Sequence, residues 1–114
     1  MNERLDHGLL DELRALLEDD FGTLLKAYLE DSEHQLHEVS DALEEGNLDR
    51  LRRSAHSLKG ASSNVGAVAL AALCGRLEQL ALDGSIDSVP EALERMRSEL
   101  REVRDEIVAV HQIY

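Results

Sequence analysis

Apolar residues recur at spacings of three and four along most of the chain, the period of helices that bury one face. The last stretch is the most regular: Val89, Leu93, Met96, Leu100, Val103, Ile107 and Val110 alternate steps of four and three. This predicts a helix over 88–112, opened by Ser88-Val89-Pro90-Glu91 in the form of a capping box with proline in the first turn. Upstream, Phe21, Leu25, Tyr28, Ser32, Leu36, Val39 and Leu43 form an inward stripe over 20–45, which Gly46 ends where a left-handed residue is tolerated. Asn47 then caps a helix over 48–65, with Leu48, Leu51, Ala55, Leu58, Ser62 and Val65 on one side and Gly66 directly after it. The next pattern, 67–82, buries Leu70, Leu73, Cys74, Leu77, Leu80 and Ala81 before the turn residues Asp83-Gly84-Ser85. A shorter segment at the start, 8–18, can align Leu9, Leu10, Leu13, Leu16 and Leu17 on one face and is expected to cap the rest.

Four long helices with short connections pack most simply as an antiparallel up-and-down bundle. The expected fold is therefore all-α: a four-helix bundle with a short additional N-terminal helix, one domain over 1–114. The four-three spacing is shared with two-stranded coiled coils, so a homodimer is compatible with it but not required. A monomer is the simpler expectation.

Charge narrows the partners. Twenty-four acidic residues against twelve basic ones give a formal charge of −12, which repels nucleic-acid phosphates and anionic membranes over most of the exterior. With no Trp, one Phe and two Tyr, the chain has no set of aromatic platforms for nucleobases. The N-terminal stretch MNERLDHGLL mixes charges and lacks a long apolar run, unlike a signal peptide or membrane anchor. The lone Cys74 excludes an intramolecular disulfide, falls in an apolar helical pattern and reads as a small buried hydrophobe. A reducing cytoplasm fits these features.

The third helix departs from this plain scheme. At 100° per residue with Leu58 at zero, its apolar positions span about −20° to 80°, whereas His56 falls near 160° and faces outward. Arg52, Arg53, Lys59, Gly60 and Ser63 share that outward side. Between Arg50 and Val65 there are four basic residues and no acidic one, a local reversal of the overall charge. Lys59, one turn from His56, can neutralise a phosphoryl dianion, and a neutral imidazole is a competent nucleophile near pH 7. Glycine inside a helix costs about 1 kcal/mol relative to alanine. Helical side chains lean toward the N-terminus, so any side chain at position 60 would lean over His56, and glycine leaves the ring open to a second protein. Ser62 fits the buried stripe and can bond a backbone carbonyl; Ser63 is a candidate contact beyond the ring.

The run His56-Ser57-Leu58-Lys59-Gly60-Ala61-Ser62, followed by Gly66-Ala67, resembles the histidine-containing phosphotransfer (HPt) domain family. Phe21 with Leu24 and Leu25, Leu29-Glu30-Asp31-Ser32, Leu73-Cys74 and Leu77-Glu78 also resemble family positions, so the likeness covers nearly the whole chain. It implies a bundle whose exposed His56 accepts a phosphoryl group from an aspartate of one receiver domain and passes it to another. It further implies that Lys59 steadies the phosphoryl group, Gly60 keeps access open and Gly66 makes the close turn into the next helix. Glu78 stands where the family commonly has glutamine, which points to a hydrogen bond with the imidazole or Lys59 rather than a direct phosphate contact.

On this resemblance the chain is a cytoplasmic, monomeric phosphocarrier without independent turnover, from a bacterial source. Its partners are receiver domains of a hybrid sensor histidine kinase and of a response regulator. It needs no cofactor of its own, magnesium belonging to the receivers, and Arg52 and Arg53 form a docking rim. Two alternatives stand beside it. A dimerising kinase-type bundle also presents a histidine, but here serine follows His56 where that family has an acidic residue, and no glycine-rich nucleotide segment is present. A non-catalytic helical adaptor explains the fold and leaves Gly60 unexplained. His34 and His37, at i and i+3, read as surface histidines rather than metal ligands, and His7 and His111 as structural or incidental.

Overall fold

The computed structural model describes residues 4–113. Five α-helices follow in order: α1 His7–Leu17, α2 Phe21–Glu45, α3 Leu48–Asn64, α4 Val68–Asp83 and α5 Val89–His111. Single 3₁₀ turns, Glu18–Asp20 and Ile86–Ser88, lead into α2 and α5. No strand occurs among the described residues. Each long helix packs on the next, and α5 returns against α2 to close the four-helix bundle, with α1 as the additional N-terminal helix.

The connections are local chemistry. Gly46, at φ 69°, ends α2 with its N–H on the Leu43 carbonyl at 3.1 Å, while the Asn47 N–H reaches Ala42 at 2.9 Å. The Asn47 side chain then accepts from the Arg50 N–H at 3.0 Å and starts α3, as the sequence predicts. Gly66 repeats the ending after α3 at φ 75°, with Ala67 N–H to Ser62 carbonyl at 2.8 Å. Here a second constraint applies. The Asp6 N–H donates to the Gly66 carbonyl at 2.8 Å, and a Cβ on Gly66 would lie 3.0 Å from Asp6 Cβ. Only glycine both adopts this φ and lets the N-terminal segment close on the α3–α4 turn.

The core is aliphatic, as the near absence of aromatics requires. Leu25, Leu51, Leu58, Leu70, Leu77, Met96, Leu100 and Ile107 are fully buried across α2 to α5. Cys74 is buried with its Sγ 3.6 Å from Met96 Sδ, and burial pushes its thiol up to about 12, so it stays a packed, protonated group. Among the described residues three serines enter the interior, Ser32, Ser54 and Ser62. Ser62 Oγ meets Tyr28 Oη at 2.8 Å, and Ser32 donates to the Tyr28 carbonyl at 2.6 Å. Burial raises the Tyr28 phenol to about 12, so it keeps its proton and joins α2 to α3 as a neutral hydrogen-bonding group.

Four expectations are corrected. Ser88 makes no side-chain cap: its φ −90°, ψ −9° backbone continues the preceding 3₁₀ turn into α5, whereas a capping hydroxyl needs an extended residue. The leucines of α1 do not share one buried face; Leu10 is buried, Leu9, Leu13 and Leu17 are half-buried and Leu16 is 79 % exposed. A short helix lying on a bundle touches it along a narrow strip; α1 adds a contact from His7 to Glu106 of α5 at 3.0 Å, and Arg4, ahead of α1, pairs with Glu99 of α5 at 2.7 Å. Val110 is exposed near the end of α5, and Leu36, Leu43, Leu48 and Leu73 are only half-buried. Leu29, Ala42 and Leu5, outside the predicted stripes, are buried.

Candidate functional site

His56 stands in the middle of α3, on the side turned from the core, with 63 % of its side chain exposed. It rises directly behind the buried pair Ala55 and Ser54, and Leu58 below it anchors the helix in the core. The imidazole is steadied from the neighbouring helix. Glu78 of α4, with 14 % of its side chain exposed, places Oε2 at 2.8 Å from His56 Nδ1 and Oε1 at 2.7 Å from Lys59 Nζ. Its carboxyl therefore sits below the ordinary carboxylate range, first because Lys59 donates to it and then because His56 does; burial opposes the shift.

A carboxylate can only accept, so Nδ1 donates in this hydrogen bond, and in the neutral ring that tautomer leaves the lone pair on Nε2. The neutral ring thus has Nε2 free of the Glu78 contact on an exposed side chain. Lys59 reaches the same carboxylate along a stem that passes Gly75, where a Cβ would lie 3.5 Å from Lys59 Cδ. Gly60 is exposed, and a Cβ there would meet nothing within 4 Å. Packing does not demand this glycine.

The chain matches the Hpt domain family over residues 23–106. This protein belongs to that family. It is similar to histidine-containing phosphotransfer protein 2 of Oryza sativa subsp. japonica, 26% identical over 99% of this chain and 83% of that protein. Its fold superposes on histidine-containing phosphotransfer protein B of Pseudomonas aeruginosa with a TM-score of 0.94, at 38% identity over 100% of this chain and 99% of that one. A maize histidine-containing phosphotransfer protein shares the fold at a TM-score of 0.85, with 23% identity over 97% of this chain and 91% of that one.

Within this Hpt domain the other residues singled out from the sequence divide. Gly66 lies at the α3–α4 turn and shapes the N-terminal docking rather than the ring's surroundings. Ser63 is exposed and its hydroxyl makes no hydrogen bond among the described residues; seven positions along α3 put it two turns from His56. The basic reversal on α3 is largely neutralised. Arg52 and Arg53 reach Asp49 at 3.3 and 3.2 Å, and Arg50 meets Glu45 and Glu38 at 2.7 and 2.9 Å. Asp49 lies one residue before the acid-free window, and the two glutamates come from α2, so a count along α3 alone overstates the patch.

Of the remaining histidines, His34 and His37 are exposed on α2, and among the described residues no three potential metal ligands gather. His7 and His111 join α1 to α5: His7 pairs with Glu106, His111 Nδ1 meets Arg14, and the two rings lie 6.4 Å apart. Burial, and then the nearby Arg14 cation, holds His111 below the usual imidazole range. Gly75 is a neighbour of the site that the sequence pattern does not single out; its position one turn before Glu78 is the available signal. No helix of the described residues is long and apolar enough to cross a membrane.

Proposed function

We propose that this Hpt domain is a phosphorelay intermediate that carries a transient phosphoryl group on His56 Nε2. The observation that carries this reading is the Glu78 contact to Nδ1, which in the neutral imidazole leaves the lone pair on Nε2 of an exposed ring. In the forward step the Nε2 lone pair attacks the phosphorus of a receiver aspartyl phosphate. The aspartyl P–O bond breaks and the carboxylate leaves with the bonding pair. A second receiver reverses the sequence with its own aspartate.

Positioning and charge stabilisation dominate such transfers. Lys59 has three N–H donors, enough to keep Glu78 and still reach a phosphoryl oxygen. The open space over Gly60 supports its role in admitting the receiver. Arg52 and Arg53 contribute to the docking rim as partly paired cations. Magnesium belongs to the receivers, and the chain acts as a carrier without turnover of its own. The donor is a hybrid sensor kinase's receiver domain and the acceptor that of a response regulator. A single-domain, monomeric, cytoplasmic protein of bacterial source completes the reading, the last supported by the 38% identity to the Pseudomonas protein. The family match does not favour an adaptor or a dimerising kinase-type bundle.

Incubation with a panel of radiolabelled phosphoreceiver domains tests this. Label appearing on the protein in an acid-labile, alkali-stable form supports the relay; a folded protein that takes no label from any of them contradicts it.

A further inference from the structure

A cavity of about 570 Å³ opens where the ends of α1 and α5 meet the start of α2. Small-molecule pockets span roughly 300–1,000 Å³. Its wall carries Arg14 of α1, Glu18 of the turn that follows, Phe21 and Lys26 of α2, and Val110 and His111 of α5. None of His56, Lys59, Gly60 and Glu78 lines it.

His111 supplies the observation that points to a ligand. Arg14 Nη2 meets its Nδ1. A guanidinium only donates, so Nδ1 accepts, and in the neutral ring the proton is on Nε2. Burial first, then Arg14 and His7, hold this ring below the usual imidazole range, with Asp11 and Glu106 opposing, so the neutral form prevails at neutral pH. Nε2 is buried with no hydrogen-bond partner, the one such side-chain nitrogen or oxygen among the described residues. Buried donors are almost always paired, and an unpaired one is destabilising, so this N–H calls for an acceptor. Cations at the C-terminal ends of α1 and α5 also complement the helix dipoles, but that supplies Nε2–H with no partner.

We infer that this cavity binds a small organic carboxylate with a short apolar body, the carboxylate accepting from His111 Nε2–H and Arg14. The Phe21 ring already orders both donors: Arg14 Cζ lies 5.2 Å from its centroid, and the His111 ring meets it edge-on at 5.3 Å. Half-exposed Val110 gives the apolar body a surface to lie on. Arg14 and Lys26 bring positive charge to the wall, and hydrogen bonds from a cation to a carboxylate are the strong ones. Glu18 is the one acid of the wall and selects against a second negative charge on the ligand. A bound carboxylate therefore ties the end of α1 to α5.

The test titrates the full chain with hydrocinnamate and with isovalerate, following the His111 ring nitrogens and the Arg14 side-chain N–H signals by NMR. Both should bind saturably and shift these signals. Hydrocinnamyl alcohol, the body without the charge, and acetate, the charge without the body, should each bind at least about tenfold more weakly than hydrocinnamate. Arg14→Gln and His111→Phe should each weaken hydrocinnamate about tenfold, the loss of one charge-assisted hydrogen bond. Arg76→Gln removes a cation that does not line the cavity and should leave binding unchanged. Both cavity variants should keep the helical circular dichroism of the wild type, Arg14 being exposed and phenylalanine preserving a ring at 111. Absence of saturable binding by either carboxylate overturns the inference. So does an alcohol or acetate that binds as tightly as hydrocinnamate, or unaltered affinity in both folded cavity variants. Phosphoryl transfer at His56 stands apart from all of these outcomes.

Discussion

Glu78 Oε2 lies 2.8 Å from His56 Nδ1, an exposed ring on α3 fixed by a mostly buried carboxylate on α4. The bundle's packing thereby sets the tautomer of its surface histidine. The relation also has a consequence for stability. Lys59 first, and His56 after it, hold the Glu78 carboxyl below its ordinary 4.5, so the group adds stability that is fully present above that value. The contribution is lost as pH falls through the depressed value. Urea unfolding should show wild type more stable than Glu78→Gln at neutral pH, with the gap shrinking on acidification below 4.5. A gap independent of pH would contradict the ion pairing.

Tyr28 and Ser62 satisfy one another in the interior at 2.8 Å. Tyr28→Phe leaves the Ser62 hydroxyl buried without that partner and should cost about 1–2 kcal/mol in chemical denaturation. Adding Ser62→Ala should recover part of that loss, because the unpaired hydroxyl is then gone. Strictly additive losses would mean the pair is not coupled.

Gly66 carries both a left-handed backbone and a close approach to Asp6. Gly66→Ala should cost about 1–2 kcal/mol from the backbone alone. The 3.0 Å contact to Asp6 Cβ adds to this and loosens the N-terminal attachment. Hydrogen exchange at the Asp6 amide, bonded to the Gly66 carbonyl in the wild type, reports the loosening. Undiminished protection there would refute the steric argument.

Gly60 behaves in the opposite way. A Cβ would meet nothing, so Gly60→Ala should stabilise the protein by about 0.5–1 kcal/mol through helix propensity. Gly60→Arg should also fold, yet abolish transfer by occupying the space in front of His56. Wild-type transfer by the arginine variant would remove the access argument for this glycine.

Much of this architecture is legible in the sequence because it is set by local periodicity and end signals. The α5 stripe from Val89 to Ile107 is buried as its spacing predicts, and Gly46 and Asn47 act at their expected places. Features that depend on the third dimension were harder to read. Ser88 has a capping residue's identity, but the preceding turn gives it a helical backbone. The basic run on α3 looks unopposed until α2 supplies Glu38 and Glu45. At the site, helical angles put His56, Lys59 and Gly60 on one side. They could not say that one carboxylate on α4 would take both His56 and Lys59, since that depends on the rotation of α4 against α3.

The most direct test of the central claim is phosphoryl transfer from a phosphorylated receiver domain to wild type and to His56→Gln, with the modified residue mapped by mass spectrometry. His56 is exposed, so the variant should keep its helical circular dichroism and its unfolding free energy within about 0.5 kcal/mol. The account predicts acid-labile phosphate on His56 of the wild type and none on the variant. Equal phosphorylation of His56→Gln would contradict it.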